Sequence, residues 1–202
     1  MSRFKRTMDG LPGRLPTGES VLWQGKPQAF ALARRAFRTR LIVGYFALLI
    51  VWRFTGALTQ GHGLASAVLS AFSGALLGAA ALGLFYGFAF LIARSTTYTI
   101  TGKRVVITYG VALPKSLNLP FTKLSGADLA LRTESGDIVL QTEGKALSYA
   151  LLWPHVQAGP KGRSLPTMRC VADAKGAAEI LGRAITPAST AAMPADLLAH
   201  AA

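Results

Sequence analysis

Residues 64–93, LASAVLSAFSGALLGAAALGLFYGFAFLIA, run apolar or small without a charged position. As a helix rising about 1.5 Å per residue, the stretch would reach about 45 Å, more than the roughly 30 Å hydrocarbon core of a bilayer. It predicts a transmembrane helix, tilted or partly interfacial. Upstream, LIVGYFALLIVWRFTGAL at 41–58 is apolar except for Arg53, which falls near the far end, where a long side chain can snorkel to the interface. Trp52 and Tyr45 suit headgroup-level positions. TQGHG between the runs supplies Gly61 and Gly63 as turn residues, so the pattern predicts a transmembrane helical hairpin over 41–93.

After Arg94 the period changes from helical to two. Tyr98 and Ile100 alternate with Thr97, Thr99 and Thr101, and Val105, Ile107 and Tyr109 alternate with Arg104 and Thr108. Gly102-Lys103 between them predicts a type II′ hairpin turn, and Val106 breaks the alternation as it would on a partly covered face. SLNLPF from 116, ADLALR from 127, DIVLQT from 137 and LSYALLW from 147 continue as short strands, punctuated by Gly110, Pro114, Gly126, Gly136 and Gly144. QAGPKGRSLPT at 157–167 reads as a mobile loop. Asp173 is placed to cap a closing helix with Ala177, Ile180, Leu181 and Ala184 on one stripe. Beyond Pro187 the alanine-rich tail is expected to be disordered.

Ahead of the hairpin, QAFALARRAFRTR at 28–40 spaces Phe30, Ala33, Phe37 and Leu41 helically and fills the other positions with Arg34, Arg35 and Arg38. That is the pattern of an amphipathic helix on a membrane surface, and equally of a plain basic flank. The domain reading is therefore a basic N-terminal segment at 1–40, a membrane hairpin at 41–93, a soluble domain at 94–186 and a tail at 187–202.

Composition sharpens this picture. Apolar residues are 51% of the 202 and charged ones 15%, against roughly 25% charged in soluble proteins, which favours lipid as one solvent. The net charge of +13 fits anionic headgroups and cytoplasmic flanks better than nucleic acid, because position matters. Arg3, Lys5, Arg6, Arg14, Lys26, Arg34, Arg35, Arg38 and Arg40 precede the hairpin against only Asp9 and Glu19, while the loop between the runs has no cation. Both termini are thus expected in the cytoplasm. The first apolar run starts too late for a cleaved leader, so the first span is expected to be retained.

Candidate chemistry is sparse. Cys170 is the single cysteine, and His62, His155 and His200 are too scattered for a local metal motif. His62 lies in the turn between glycines, where a solvated loop residue is expected rather than a pigment ligand, and His155 beside Trp153 and Pro154 is expected to pack against the soluble domain. The chain has no P-loop, G-x-S-x-G or H-E-x-x-H motif and no acid in either span, so no enzyme, cofactor or metal is expected. Small residues recur every fourth position on the second run, Ser66, Ser70, Gly74 and Gly78 in one row and Ala79, Gly83 and Gly87 in another. Such rows let a helix approach closely, be it the first span, a second copy in a homodimer, or a client helix. Ser70, Gly74, Gly78, Gly83 and Gly87 are the candidate contacts. Arg34, Arg35, Arg38, Arg40, Arg94, Lys103 and Arg104, with Lys115 and Lys123, are candidates for anionic lipid headgroups.

Several antiparallel strands closed by a helix match the outline of a pleckstrin-homology (PH)-like antiparallel β-barrel. YTITGKRVVITYGV at 98–111 resembles the first hairpin of bacterial PH domains, and LPTGESVLWQGKP at 15–27 resembles the segment that precedes the membrane hairpin in such proteins. Together, TTYTITGKRVVITYGVALPKSLNLPF, GDIVLQTEG, LLWPH and MRCVADAKGAAEILGRA resemble the PuhB-type photosynthetic-complex assembly proteins of purple bacteria, over roughly residues 10–186. The resemblance implies a membrane hairpin plus a PH-like domain capped by a C-terminal helix. It also implies a non-enzymatic factor of the inner, photosynthetic intracytoplasmic membrane, assisting assembly of the reaction centre and its light-harvesting 1 antenna. It transfers no functional residues. The competing expectation is a general bacterial PH membrane protein that senses or binds anionic lipid.

Overall fold

A computed structural model describes residues 15–61, 63–132, 135–143 and 148–192. His62, His200, Asp9 and the cations before residue 15 lie outside the described residues. The chain divides into two compact units, one of Ala29–Leu91 and the other joining the residues up to Gln28 to those from Ile92 onward.

The first unit is helical. Helix α1 covers Ala29–Ala36, α2 Thr39–Thr59, and α3 begins at Gly63 and runs on to Ser95. Both long helices are long and apolar enough to cross a membrane, and both leave almost all of their apolar surface exposed among the described residues. The amphipathic segment differs from its expected 28–40. It stops at Ala36, and Arg38 adopts a left-handed φ of 50° that turns the chain before α2 starts. Leu41 therefore belongs to α2. Phe30 and Phe37 sit 5.7 Å and 5.6 Å in ring-centroid distance from Tyr86 and Phe85 of α3, so the apolar face of the segment meets the hairpin.

The second unit contains two antiparallel four-stranded sheets. β1 (Val21–Gly25), β2 (Thr97–Thr101), β3 (Arg104–Tyr109) and β4 (Lys115–Pro120) form the first, in sequence order. β5 (Leu124–Leu131), β6 (Gly136–Thr142), β7 (Val156–Ala158) and β8 (Ser164–Val171) form the second, ordered β5-β6-β8-β7. One isolated bridge, Pro27 to Val171, links them, and the described residues make no closed barrel. Helix α4 is the short Tyr149–Leu152, and α5 spans Ala174–Ala192. Tyr98, Ile100, Val105 and Ile107 of the first sheet share a core with Ile138, Leu140 and Met168 of the second and with Ala177 and Leu181 of α5. That accounts for the helix's apolar stripe, and Asp173 caps it by accepting the Gly176 N–H at 3.0 Å.

Four local expectations are corrected. LSYALLW contains a helical turn rather than a strand, and QAGPKGRSLPT contains β7 and the start of β8 rather than a mobile loop. Its Gly159, Pro160 and Gly162 are the connection of a hairpin, as Gln157↔Leu165 pairing requires. Gly102 lacks the positive φ of a type II′ turn, because Thr101 organises the corner instead, its Oγ1 accepting the Arg104 N–H at 3.1 Å. The last helix continues past Pro187 to Ala192, and residues 193–202 lie outside the described residues. Val106 is only 3% exposed, as its break in alternation suggested.

Candidate functional site

The two rows of small residues on α3 separate cleanly. A Cβ on Gly78 would stand 3.0 Å from Phe46, and one on Gly74 would stand 3.3 Å from Ile50, so this row fits against α2. Ser70 lies on the same stripe and lends its carbonyl oxygen to Arg53 Nε at 3.3 Å, while Ser73 Oγ accepts from the guanidinium at 3.4 Å. Arg53 thus bonds across the hairpin rather than only reaching for the interface. Ser66 is exposed. Gly83 and Gly87 are exposed as well, and a Cβ on either meets nothing within 4 Å among the described residues. Of the predicted contact residues, Ser70, Gly74 and Gly78 are occupied by the chain itself, and Gly83 and Gly87 are open.

The predicted lipid-facing cations also divide. Arg34, Arg38, Arg40, Arg94 and Lys103 are exposed and Arg35 is half-buried. Arg104 is committed elsewhere. Its guanidinium makes a two-pronged pair with Glu19, at 2.9 Å to Oε1 and 2.7 Å to Oε2, and the Glu19 side chain is fully buried. Burial pushes the Glu19 carboxyl up, but the hydrogen bonds from Thr101 and Arg104 and the charges of Arg104 and Lys103 outweigh it and hold it below the usual range. Sequence reading gave Glu19 no role, because its partner lies 85 residues away.

Register then fixes where the cations stand. Thr97 pairs with Thr108 and Ile100 with Val105, so the Lys103 turn lies at the end of β2 away from Thr97, which only Thr96 separates from α3. At about 3.4 Å per residue that is about 14 Å of strand. Phe121 N–H bonds the Lys103 carbonyl at 3.1 Å, which brings Lys123 to the same far end. Lys115 pairs with Tyr109 at the near end.

At that near end sits a buried polar cluster. His155, 1% exposed, places Nδ1 2.8 Å from Tyr98 Oη and Nε2 3.0 Å from Thr96 Oγ1. Tyr98 Oη accepts the Arg169 N–H at 3.0 Å, and burial pushes the phenol up, so it stays protonated. The phenol can donate to Nδ1 or to the Arg169 carbonyl 3.3 Å away, and the neutral imidazole donates from one nitrogen and accepts at the other. Burial and, after it, the Arg169 charge depress the His155 imidazole to about 4. Both ring nitrogens are engaged, so His155 locks α3's exit to β7 and β8 and does not present a ligand to solvent. Sequence reading placed it on the domain but missed Thr96, in the joint between α3 and β2, and Tyr98, on a strand face that reads as apolar core.

Two helices long and apolar enough to span a bilayer, followed by two antiparallel sheets and a closing helix, define a PH-like α+β fold with candidate membrane spans. The bacterial PH domain family matches residues 39–185, hairpin included, and this chain belongs to that family. A relative described as an uncharacterised 23.7 kDa protein in the puhA 5′ region of Rhodobacter capsulatus is 38% identical over 179 residues, covering 87% of this chain and 83% of that one. No solved structure matches the chain.

Proposed function

We propose that this protein is a non-enzymatic assembly factor of the photosynthetic inner membrane. In this reading the hairpin offers a lateral surface to newly inserted helices of the reaction centre and light-harvesting 1 antenna, and the PH-like unit docks on their cytoplasmic side. The observation that carries it is the near full-length similarity to a protein whose gene lies beside the photosynthesis gene puhA. The open Gly83 and Gly87 row supports a client helix on α3, since close backbone approach is what such rows permit. The excess of Lys and Arg ahead of α2 supports cytoplasmic termini.

The test is deletion of the gene in its host. Loss of reaction-centre and light-harvesting 1 absorbance with normal respiratory growth is expected. Unchanged pigment spectra would overturn the assembly role and leave a PH membrane protein bound to anionic lipid, a reading favoured by the exposed cations around Arg34, Arg38 and Arg40.

A further inference from the structure

The topology that carries Lys103 away from the exit of α3 brings a different loop back to it. Thr97↔Thr108 and Tyr109↔Lys115 return residues 110–114 to the end of the sheet where β2 leaves α3. Ile92 and Ser95 of α3 line a cavity of about 160 Å³ together with Tyr109, Val111, Trp153 and His155. Ile92 is also the last residue but one of the charge-free run, two before Arg94, where lipid would give way to water.

Around this cavity large apolar side chains point outward. Leu113 is 76% exposed, Leu151 61%, Val111 52% and Trp153 40%. Single exposed apolar residues are ordinary, but here they crowd two short segments, and Val111 and Trp153 are walls of one cavity. The cavity is too small for a ligand, since small-molecule sites start at about 300 Å³. Charge around it has one sign. Residues 91–127 and 148–172 contain no Asp or Glu, and Arg94 and Lys115 are both exposed. Apolar tips, an interfacial tryptophan and cations without acids match an anionic phospholipid surface.

We propose that Val111, Leu113, Leu151 and Trp153 insert into the anionic lipid interface beside the end of α3, with Lys115 against headgroup phosphate. The inference rests on α3 crossing the bilayer, and it moves the lipid contact of the PH-like unit from the Lys103 turn to this rim.

Trp23, Trp52 and Trp153 are the only tryptophans, which makes the contact measurable. The full chain carrying W23F and W52F is reconstituted into vesicles of phosphatidylcholine and phosphatidylglycerol with bromine on the acyl chains near the headgroup. Loss of Trp153 emission relative to unbrominated vesicles is expected, and V111S/L113S should abolish that loss. A W23F/W153F chain keeps Trp52 in α2 as reporter of the span. Loss at Trp52 with none at Trp153 overturns the insertion while the spans stand, and aqueous iodide then tells whether water or protein covers Trp153. Absence of loss at both overturns the bilayer reading and the insertion with it. A Trp153 loss that survives V111S/L113S in a chain with an unchanged melting profile overturns the part given to the loop.

Discussion

His155 is held neutral by burial and by the Arg169 charge, which both disfavour its charged form, while Tyr98 Oη and Thr96 Oγ1 engage its two nitrogens. The sign of its pH effect follows. The imidazole lies near 6.5 in the unfolded chain and at about 4 in the folded one, so its contribution is complete above 6.5 and is lost as pH falls from 6.5 towards 4. The loss amounts to about 3 kcal/mol. Thermal melts of the detergent-solubilised chain should fall across that window, and His155→Gln should flatten the fall while lowering the melting temperature at pH 7. Glu19 acts in a lower window, because a depressed carboxyl contributes fully above its unfolded value of 4.5 and is lost only as pH falls below it. A melt flat from pH 7 to 5 in the native chain would refute the account of His155.

At the scale of elements, the two rows of α3 make opposite demands on substitution. Gly78→Leu forces a side chain into Phe46 and should destabilise the hairpin by about 1–3 kcal/mol or more, read as a lower melting temperature. Gly83→Leu points into open space and should change stability by no more than about 0.5 kcal/mol. If clients pack on that row, the same change should lower reaction-centre absorbance in vivo; wild-type absorbance with Gly83→Leu would remove the row from the proposed contact. The sequence showed both rows but could not assign them, since spacing gives a face and not its neighbour. Elements whose signal is local were legible: both spans, the β2–β3 pair, and α5 with its Asp173 cap. β1 was not, because VLWQG is five residues long and its partner, β2, lies beyond the whole hairpin. β7 and β8 were hidden by Gly159, Pro160 and Gly162, which break the apolar pattern, and Pro166 can sit in a strand there because the β6–β8 ladder stops at Val139↔Thr167 and needs no N–H from it.

For the whole molecule, the β1–β2 pairing constrains the path of the chain. Gly25 pairs with Tyr98 and Val21 with Thr101, although α2 and all of α3 lie between them in sequence. A strand ladder cannot be hydrogen-bonded through hydrocarbon, so residues 21–25 and 97–101 must share one side of any membrane, and the segment between must cross an even number of times. Two spans meet that condition, as one span or three would not. Charge then selects the side, and the proposed cytoplasmic placement becomes measurable with single cysteines and a membrane-impermeant maleimide, buried Cys170 being replaced by alanine. Ser20, Gln60 and Lys103 are exposed and suit the substitution. In intact spheroplasts Gln60→Cys should label while Ser20→Cys and Lys103→Cys stay silent, and in inverted vesicles the pattern should reverse. Labelling of Ser20→Cys and Lys103→Cys from opposite sides would break the strand pair or the count of spans. Labelling of both in spheroplasts, with Gln60→Cys silent, would invert the orientation and leave the two-span path intact, because the ladder fixes only that the two flanks travel together.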